Sequence, residues 1–469
     1  MEEKYNRLIE IFKELSSVPR NSKKEEKIGN YILDFARNLG LEAYMDELYN
    51  VVVIKEASSG ENNKRKIIFQ AHTDMVCEKT QESNHDFEND PIDIIIDGDK
   101  MKANGTTLGA DDGIGVATLL LLMEDTDIKL PQTYFFFTTQ EEIGMYGARA
   151  LDASKVDADY LINLDGEEEN TAIVGCAGGV SVHYEKNGKL EDIKNPVYSL
   201  EISGLYGGHS GVDIDKGRIN SNVLAAKILE NTGSKIISFV GGNKDNAIPN
   251  YTKVVFENEN NIEEKIGIIL DTLDVCEEDK NIKVELEEIE NKKYKSFSLD
   301  DSNSIVSLLL NLKQNVIKMS KDINGLVETS GNIGIVKAEK GNVHIVESLR
   351  SSIDSEKEKI KNENNEYAKS LGMEIREEGE YPGWKYNPNS NLEPLYKKAY
   401  METHSGQEPI ICAIHAGVEC GMFYEKMPNL DMISLGPDVV DVHTVNETLY
   451  LESCKRLLKT LYKMIDNLE

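Results

Sequence analysis

Four apolar runs in this chain end in residues that bind metals or move protons, where buried strands ordinarily give way to turn-forming residues. KIIFQA (66–71) runs into His72-Thr73-Asp74, and TYFFFTTQ (133–140) runs into the paired acids Glu141 and Glu142. DYLINL (159–164) runs into Asp165, and DMISLGP (431–437) is followed by His443. A fifth segment, GTTLGADDGIG, presents Asp111 and Asp112 just ahead of an apolar stretch. Imidazole and carboxylate are both Zn²⁺ ligands, and one shared carboxylate can hold two ions about 3.5–4 Å apart. Each residue alone has a plainer reading. A single histidine at a strand end is more often a hydrogen-bonded structural group, paired acids are usually solvated, and the glycines of GADDGIG could serve a tight turn. The convergence of all five segments is what points to a two-metal hydrolase.

Such residues need a scaffold that gathers them. NVVVIKEA (50–57), KIIFQA, TYFFFTT and DYLINL have the length and apolarity of buried strands, and DDGIGVATLLLLMED (111–125) that of a helix between two of them. Strand–helix alternation predicts an α/β layer with a largely parallel sheet, and in such sheets ligands gather at the carboxyl ends of strands. DMISLG and the helical SCKRLLKTLYKMIDNL are expected to rejoin this layer. Ser22 and Glu25 have capping-box spacing before another helix. The middle of the chain reads differently. From about residue 196 the pattern is strand, helix, strand, strand, helix, strand, the ferredoxin-like order. From about residue 294 a similar order recurs: YKSFSLD, a helix at 302–319, SGNIGIVKA, NVHIVESL, a helix at 355–371 and MEIREE. Two copies of one α+β unit are therefore expected, although so common an order can be fitted by chance.

At 469 residues, more than one domain is expected. Acidic residues outnumber basic ones by 83 to 52, a formal charge of −31 that argues against nucleic acid or an anionic membrane as partner. Apolar runs such as VATLLLLM are far too short to span a bilayer. The six cysteines show no CxxC spacing, and no signal peptide is evident at MEEKYNRLIEIFKEL, so a cytoplasmic location is expected.

The segments AHTDMVCEK, TTLGADDGIGVA, TTQEEIGMYGA, NLDGEEE with VGCAGG, GLYGGHSGVDIDKGRINSN, NAIP, HAGVECGMF and MISLGP resemble the M20 family of dinuclear zinc peptidases. Within that family they look most like the aminoacyl-histidine dipeptidase branch. The resemblance implies an α/β catalytic domain (1–178 and 386–469) interrupted by a lid (179–385), and two Zn²⁺, with Co²⁺ or Mn²⁺ as substitutes. It implies His72, Glu142, Asp165 and His443 as terminal ligands, Asp111 as the bridge, Asp74 orienting His72, and Glu141 as general base. His209 of GGHSG would polarise the scissile carbonyl. The implied substrate is a small peptide, Xaa-His or β-alanyl-His dipeptides above all. Tripeptide aminopeptidase, acyl-amino-acid deacylase and a non-catalytic peptide-binding protein are the alternatives. Two departures stand out: Asp112, where this branch often has Asn, and VVDVHTVNE around His443 in place of a small-residue, Ser-Pro context. Arg350 in ESLRSS and Asn246 in NAIP are candidate contacts for the substrate's carboxylate, since a guanidinium fork matches that group; a surface ion pair is the competing reading for Arg350. His415 and Glu419 are expected to line or support the pocket without binding metal. The oligomeric state, a homodimer included, is left open.

Overall fold

The computed structural model describes residues 1–260, 262–291 and 294–468. It divides into two compact units, the first comprising 1–176, 385–413 and 418–469, the second 177–384 and 414–417.

The first unit is built on an eight-stranded mixed sheet. At its centre four strands lie side by side and parallel, in the order Thr133–Thr138, Ile67–His72, Tyr160–Asn163, Asp431–Ser434. Their side chains are buried on both faces, which is why these runs are continuously apolar instead of alternating. The helix Ala110–Glu124 has no polar face because nearly every residue in it is buried. Its first turn is irregular: Asp111 (φ −80°, ψ 110°) and Asp112 (φ −106°, ψ 35°) leave helical geometry, and the peptide bond between them is cis. The amphipathic helices Glu2–Leu15 and Leu451–Asp466 bury stripes such as Phe12, Leu15, Leu458 and Leu461. A second, four-stranded sheet joins Ile94–Asp97, Lys100–Ala103, Thr448–Tyr450 and Val439–Val440. The GTTLGADD loop leaves one of its hairpins, and the turn carrying His443 closes the other.

The expected cap at Ser22 is not made. Its hydroxyl donates to Asp74 Oδ2 at 2.8 Å, and helix Glu26–Asn38 begins without a side-chain cap.

The second unit holds a nine-stranded antiparallel sheet and contains the expected repeat, with a different connection. The first copy is Val197–Ser203, Ser221–Leu229, Lys235–Gly241, Thr252–Glu257, Glu263–Thr272 and Lys283–Ile289, its strands in the spatial order 4-1-3-2. The second copy takes Gly178–Asn187 as its first strand, followed by Leu299–Asn311, Val327–Glu339, Asn342–Ser351, Asp354–Ser370 and Glu374–Tyr381, again 4-1-3-2. The first copy is thus inserted between strand one and helix one of the second. Two expectations change accordingly. Lys295–Phe297, in YKSFSLD, pairs with Leu190–Asp192 instead of opening the repeat. The helix expected over 302–319 ends at Asn311, and the β-branched stretch Asn315–Met319 is a strand paired with Val327–Glu339. Among the described residues no helix is long and apolar enough to cross a membrane.

Candidate metal centre

In the first unit the carboxyl ends of three of the parallel strands deliver their side chains to one spot, where His443 joins them from the turn between Val439–Val440 and Thr448–Tyr450. His72 is the last residue of its strand, Glu141 and Glu142 follow Thr138, and Asp165 follows Asn163 by two residues. Asp111 lies between two groups of partners. Its Oδ1 is 3.0 Å from His72 Nε2, which is itself 3.3 Å from Asp165 Oδ1. Its Oδ2 is 3.1 Å from His443 Nε2, which is 2.9 Å from Glu142 Oε2. The donor atoms of His72, Asp111 and Glu142 fall within 4.8 Å of one another, as do those of His72, Asp112 and Asp165. Asp112 is the less suited of the two aspartates to hold an ion. Its Oδ2 accepts from the His72 amide at 3.2 Å, and its Oδ1 from the Gly115 amide at 3.1 Å.

Neighbouring groups fix these side chains. The carbonyl of Asp74 lies 3.1 Å from His72 Nδ1, nearer than the Asp74 carboxylate at 3.6 Å, so the backbone sets the tautomer that leaves Nε2 free to ligate. The Asp74 carboxylate instead accepts from the amides of Glu141 at 3.0 Å and Glu142 at 3.3 Å, and from Ser22. His443 itself has φ +61°, and Gln140, just before the paired acids, has φ +55°. Non-glycine residues occupy that region only where surrounding structure enforces it.

The charge balance of the site fits a cation. Burial, then Asp165 and other acids, holds Glu141 well above the usual carboxylate range. Burial pushes Asp165 up to about 6. Burial opposes ionised Asp111, but His443 and His72 hold its pKa below the usual value. Asp111 and Glu142 push His443 up to about 11. The buried Glu142 Oε1 has no hydrogen-bond partner. A cluster this rich in acid, with an orphaned carboxylate oxygen and two imidazoles held by carboxylates, is suited to divalent ions.

Two participants carry almost no sequence signal of their own. Glu447, four residues after His443, accepts from four consecutive amides of the 108–111 loop. Buried Arg20 donates to the carbonyls of Thr73, at 3.2 Å, and Gly109. HxxxE spacing is the one hint, and an isolated acid in a loop reads as solvated. Glu419 lies deeper: its Oε2 accepts from Gln70 at 2.6 Å and Thr138 at 2.7 Å, and burial raises its pKa to about 8.

The remaining candidates are in the second unit. His209 Nδ1 accepts from the amides of Gly211 and Val212 at 3.2 and 3.1 Å, which places the proton on Nε2. Burial, reinforced by Arg350, lowers its pKa and keeps the ring neutral. Arg350 is 8% exposed; one guanidinium nitrogen donates to Tyr381 Oη at 2.9 Å, and its Nε has no partner. A surface ion pair is therefore not its role. His415 sits 2.7 Å from Ser330 Oγ and is pushed down to about 3 by burial and then by Arg350. Asn246 is exposed, and its carbonyl accepts from Ser210 N beside the His209–Ala247 pair.

The fold and the donor set together define a class, a metal-dependent hydrolase centred on the carboxyl edge of a parallel sheet. Residues 68–467 match the family described as peptidase family M20/M25/M40, and the chain belongs to it. It is a metallopeptidase. It is 34% identical over 460 residues to the cytosol non-specific dipeptidase of Escherichia coli, covering 95% of this chain and 94% of that protein. Its structure superposes with a TM-score of 0.93 on aminoacylhistidine dipeptidase from Vibrio alginolyticus, at 32% identity over 99% of this chain and 96% of that one. The aminopeptidase PepT of Bacillus cereus shares the fold, with a TM-score of 0.58 at 17% identity, covering 98% of each chain.

Proposed function

We propose that this protein is a cytoplasmic two-zinc dipeptidase that cleaves dipeptides with a free amino end, Xaa-His and β-alanyl-His among them. The observation that carries the reading is the position of Asp111, each of whose oxygens faces a separate histidine–acid pair. His72 and Asp165 would hold one ion and His443 and Glu142 the other, with Asp111 available to both. When bound, the ions supply the Lewis acidity that makes water nucleophilic near neutral pH. Glu141 takes the proton of the attacking water and passes it to the leaving amine. His209 donates its Nε2–H to the carbonyl oxygen as negative charge develops there, with residues 179–385 acting as the lid. Arg350 and Asn246 bind the substrate's carboxylate. Support for dipeptides comes from full-length similarity to two dipeptidases and from the buried, underused guanidinium of Arg350. The cytoplasmic location rests on the similarity to the cytosol dipeptidase of Escherichia coli.

The test is kcat/KM, with zinc content measured, for Xaa-His, Xaa-Leu, a tripeptide and an N-acetylated amino acid. The dipeptides should lead. Faster cleavage of the tripeptide would favour an aminopeptidase, and of the acetylated compound a deacylase. Full activity after exhaustive chelation would remove the metal mechanism.

A further inference from the structure

A bridging carboxylate serves two ions only if its main chain is held, because a rotation that satisfies one ion withdraws from the other. The loop carrying Asp111 has no regular structure to hold it, since the first helical turn is irregular at Asp111 and Asp112. Two opposite charges that ligate nothing grip this loop. The Glu447 carboxylate takes the amides of Leu108 and Gly109 on Oε2, at 2.7 and 2.8 Å, and those of Ala110 and Asp111 on Oε1, at 2.7 and 3.2 Å. The Arg20 guanidinium binds the Gly109 carbonyl and reaches Thr73 O, between His72 and Asp74. The grip is close enough to dictate sequence. Gly109 has φ +71°, and a Cβ there would lie 2.5 Å from an Arg20 nitrogen. Glu447 also ends the turn that carries His443 and leads into the strand Thr448–Tyr450.

We infer that Glu447 and Arg20 are positioning residues that lock three ligand-bearing segments, 72–74, 108–112 and 443–447, into one geometry and so set the affinity for the second ion. The assignment rests on the two-ion reading above. Glu447→Gln keeps the size but turns an NH₂ toward two amide donors, so half of the clamp becomes repulsive. Arg20→Lys keeps the charge but has one donor centre for carbonyls on two loops.

The experiment is a zinc titration of apo-enzyme by competition with a chromophoric chelator, paired with the visible spectrum of the Co²⁺-loaded protein. Leu458→Ala, a cavity variant in the core of helix Leu451–Asp466, serves as the stability control. Wild type should take up two ions. Glu447→Gln should bind the first within about threefold of wild type and the second about 10–100-fold more weakly, the loss typical when groups that orient ligands are removed. Its Co²⁺ spectrum should change. Arg20→Lys should do the same, and it decides the matter if the Glu447 variant does not fold. Leu458→Ala should melt earlier yet titrate as wild type. Two ions bound at wild-type affinity by both clamp variants would overturn the assignment, as would an equal loss in Leu458→Ala. A single ion in wild type would instead overturn the two-ion reading, and this assignment with it.

Discussion

Replacing Asp74 by Asn tests how the metal loops are ordered. The carboxylate has three donors: the amides of Glu141 and Glu142 and the hydroxyl of Ser22. Asn can still accept from the Glu141 amide and donate to Ser22, but its NH₂ cannot accept from the Glu142 amide. One hydrogen bond to a charged group is lost, worth roughly 1.5–3 kcal/mol. At about 1.4 kcal/mol per factor of ten, that bounds the effect at roughly 10- to 150-fold. The His72 tautomer should survive, because the nearer acceptor for Nδ1 is the Asp74 carbonyl, which the substitution leaves in place. The expected outcome is therefore a 10–100-fold weaker zinc affinity with most of kcat recovered at saturating metal. Chelator competition and kinetics at increasing free zinc measure both. Ser22→Ala, which leaves the two amide contacts, should cost less than tenfold. Zinc affinity within twofold of wild type in Asp74→Asn would refute the reasoning, and a kcat unrecoverable at saturating metal would show that Asp74 acts on the chemistry itself.

Glu141→Gln should retain wild-type zinc content while losing about 10²–10⁴ in kcat, the range for general acid–base catalysis, and near-normal turnover would remove the assignment. His209→Ala should lower kcat by about 10²–10³ and change KM much less, as for a donor to a developing oxyanion; a pure KM effect would make it a substrate-binding residue. In the second unit, fully buried Glu347, bonded to Tyr184 and Asn364, has its pKa raised by burial to about 7 from 4.5. A raised carboxyl favours folding while protonated, so its contribution is complete below pH 4.5, falls through the window to 7, and then stays low by roughly 3 kcal/mol. Glu347→Gln should flatten this dependence, and thermal melts at pH 5 and pH 8 that moved in parallel with wild type would contradict it.

The sequence disclosed the three strands that run into the candidate ligands His72, Glu142 and Asp165 because both signals are local: an apolar run long enough for a strand, and a chemically distinctive residue just past it. The buried helix at 110–124 was legible for the same reason. The nested repeat was not. The strand Gly178–Asn187 pairs with Asn342–Ser351, more than 150 residues away, and nothing in its own pattern says which partner it will take. YKSFSLD filled the vacant first position because it sits next to the second copy's helix. The overlong helix at 302–319 failed where apolar spacing continues across Leu312 although β-branched residues favour a strand. At the site, histidines and paired acids announced themselves. Glu447 and Arg20 act on backbone groups, and any loop offers those, so no residue-type pattern marks the partner.

The clamp at Asp111 spans 336 residues of chain, and this bears on how the protein is made. Residues 72 to 165 leave the ribosome early with three of the proposed terminal ligands and the proposed bridge. Without 431–447 they lack the fourth parallel strand, His443 and the carboxylate that steadies the bridging loop. On the two-ion reading proposed above, a nascent chain offers an incomplete centre, and capture of both ions waits until translation has passed this segment. Truncation anywhere before Glu447 should yield a protein that never acquires its second metal, however well its early strands have folded.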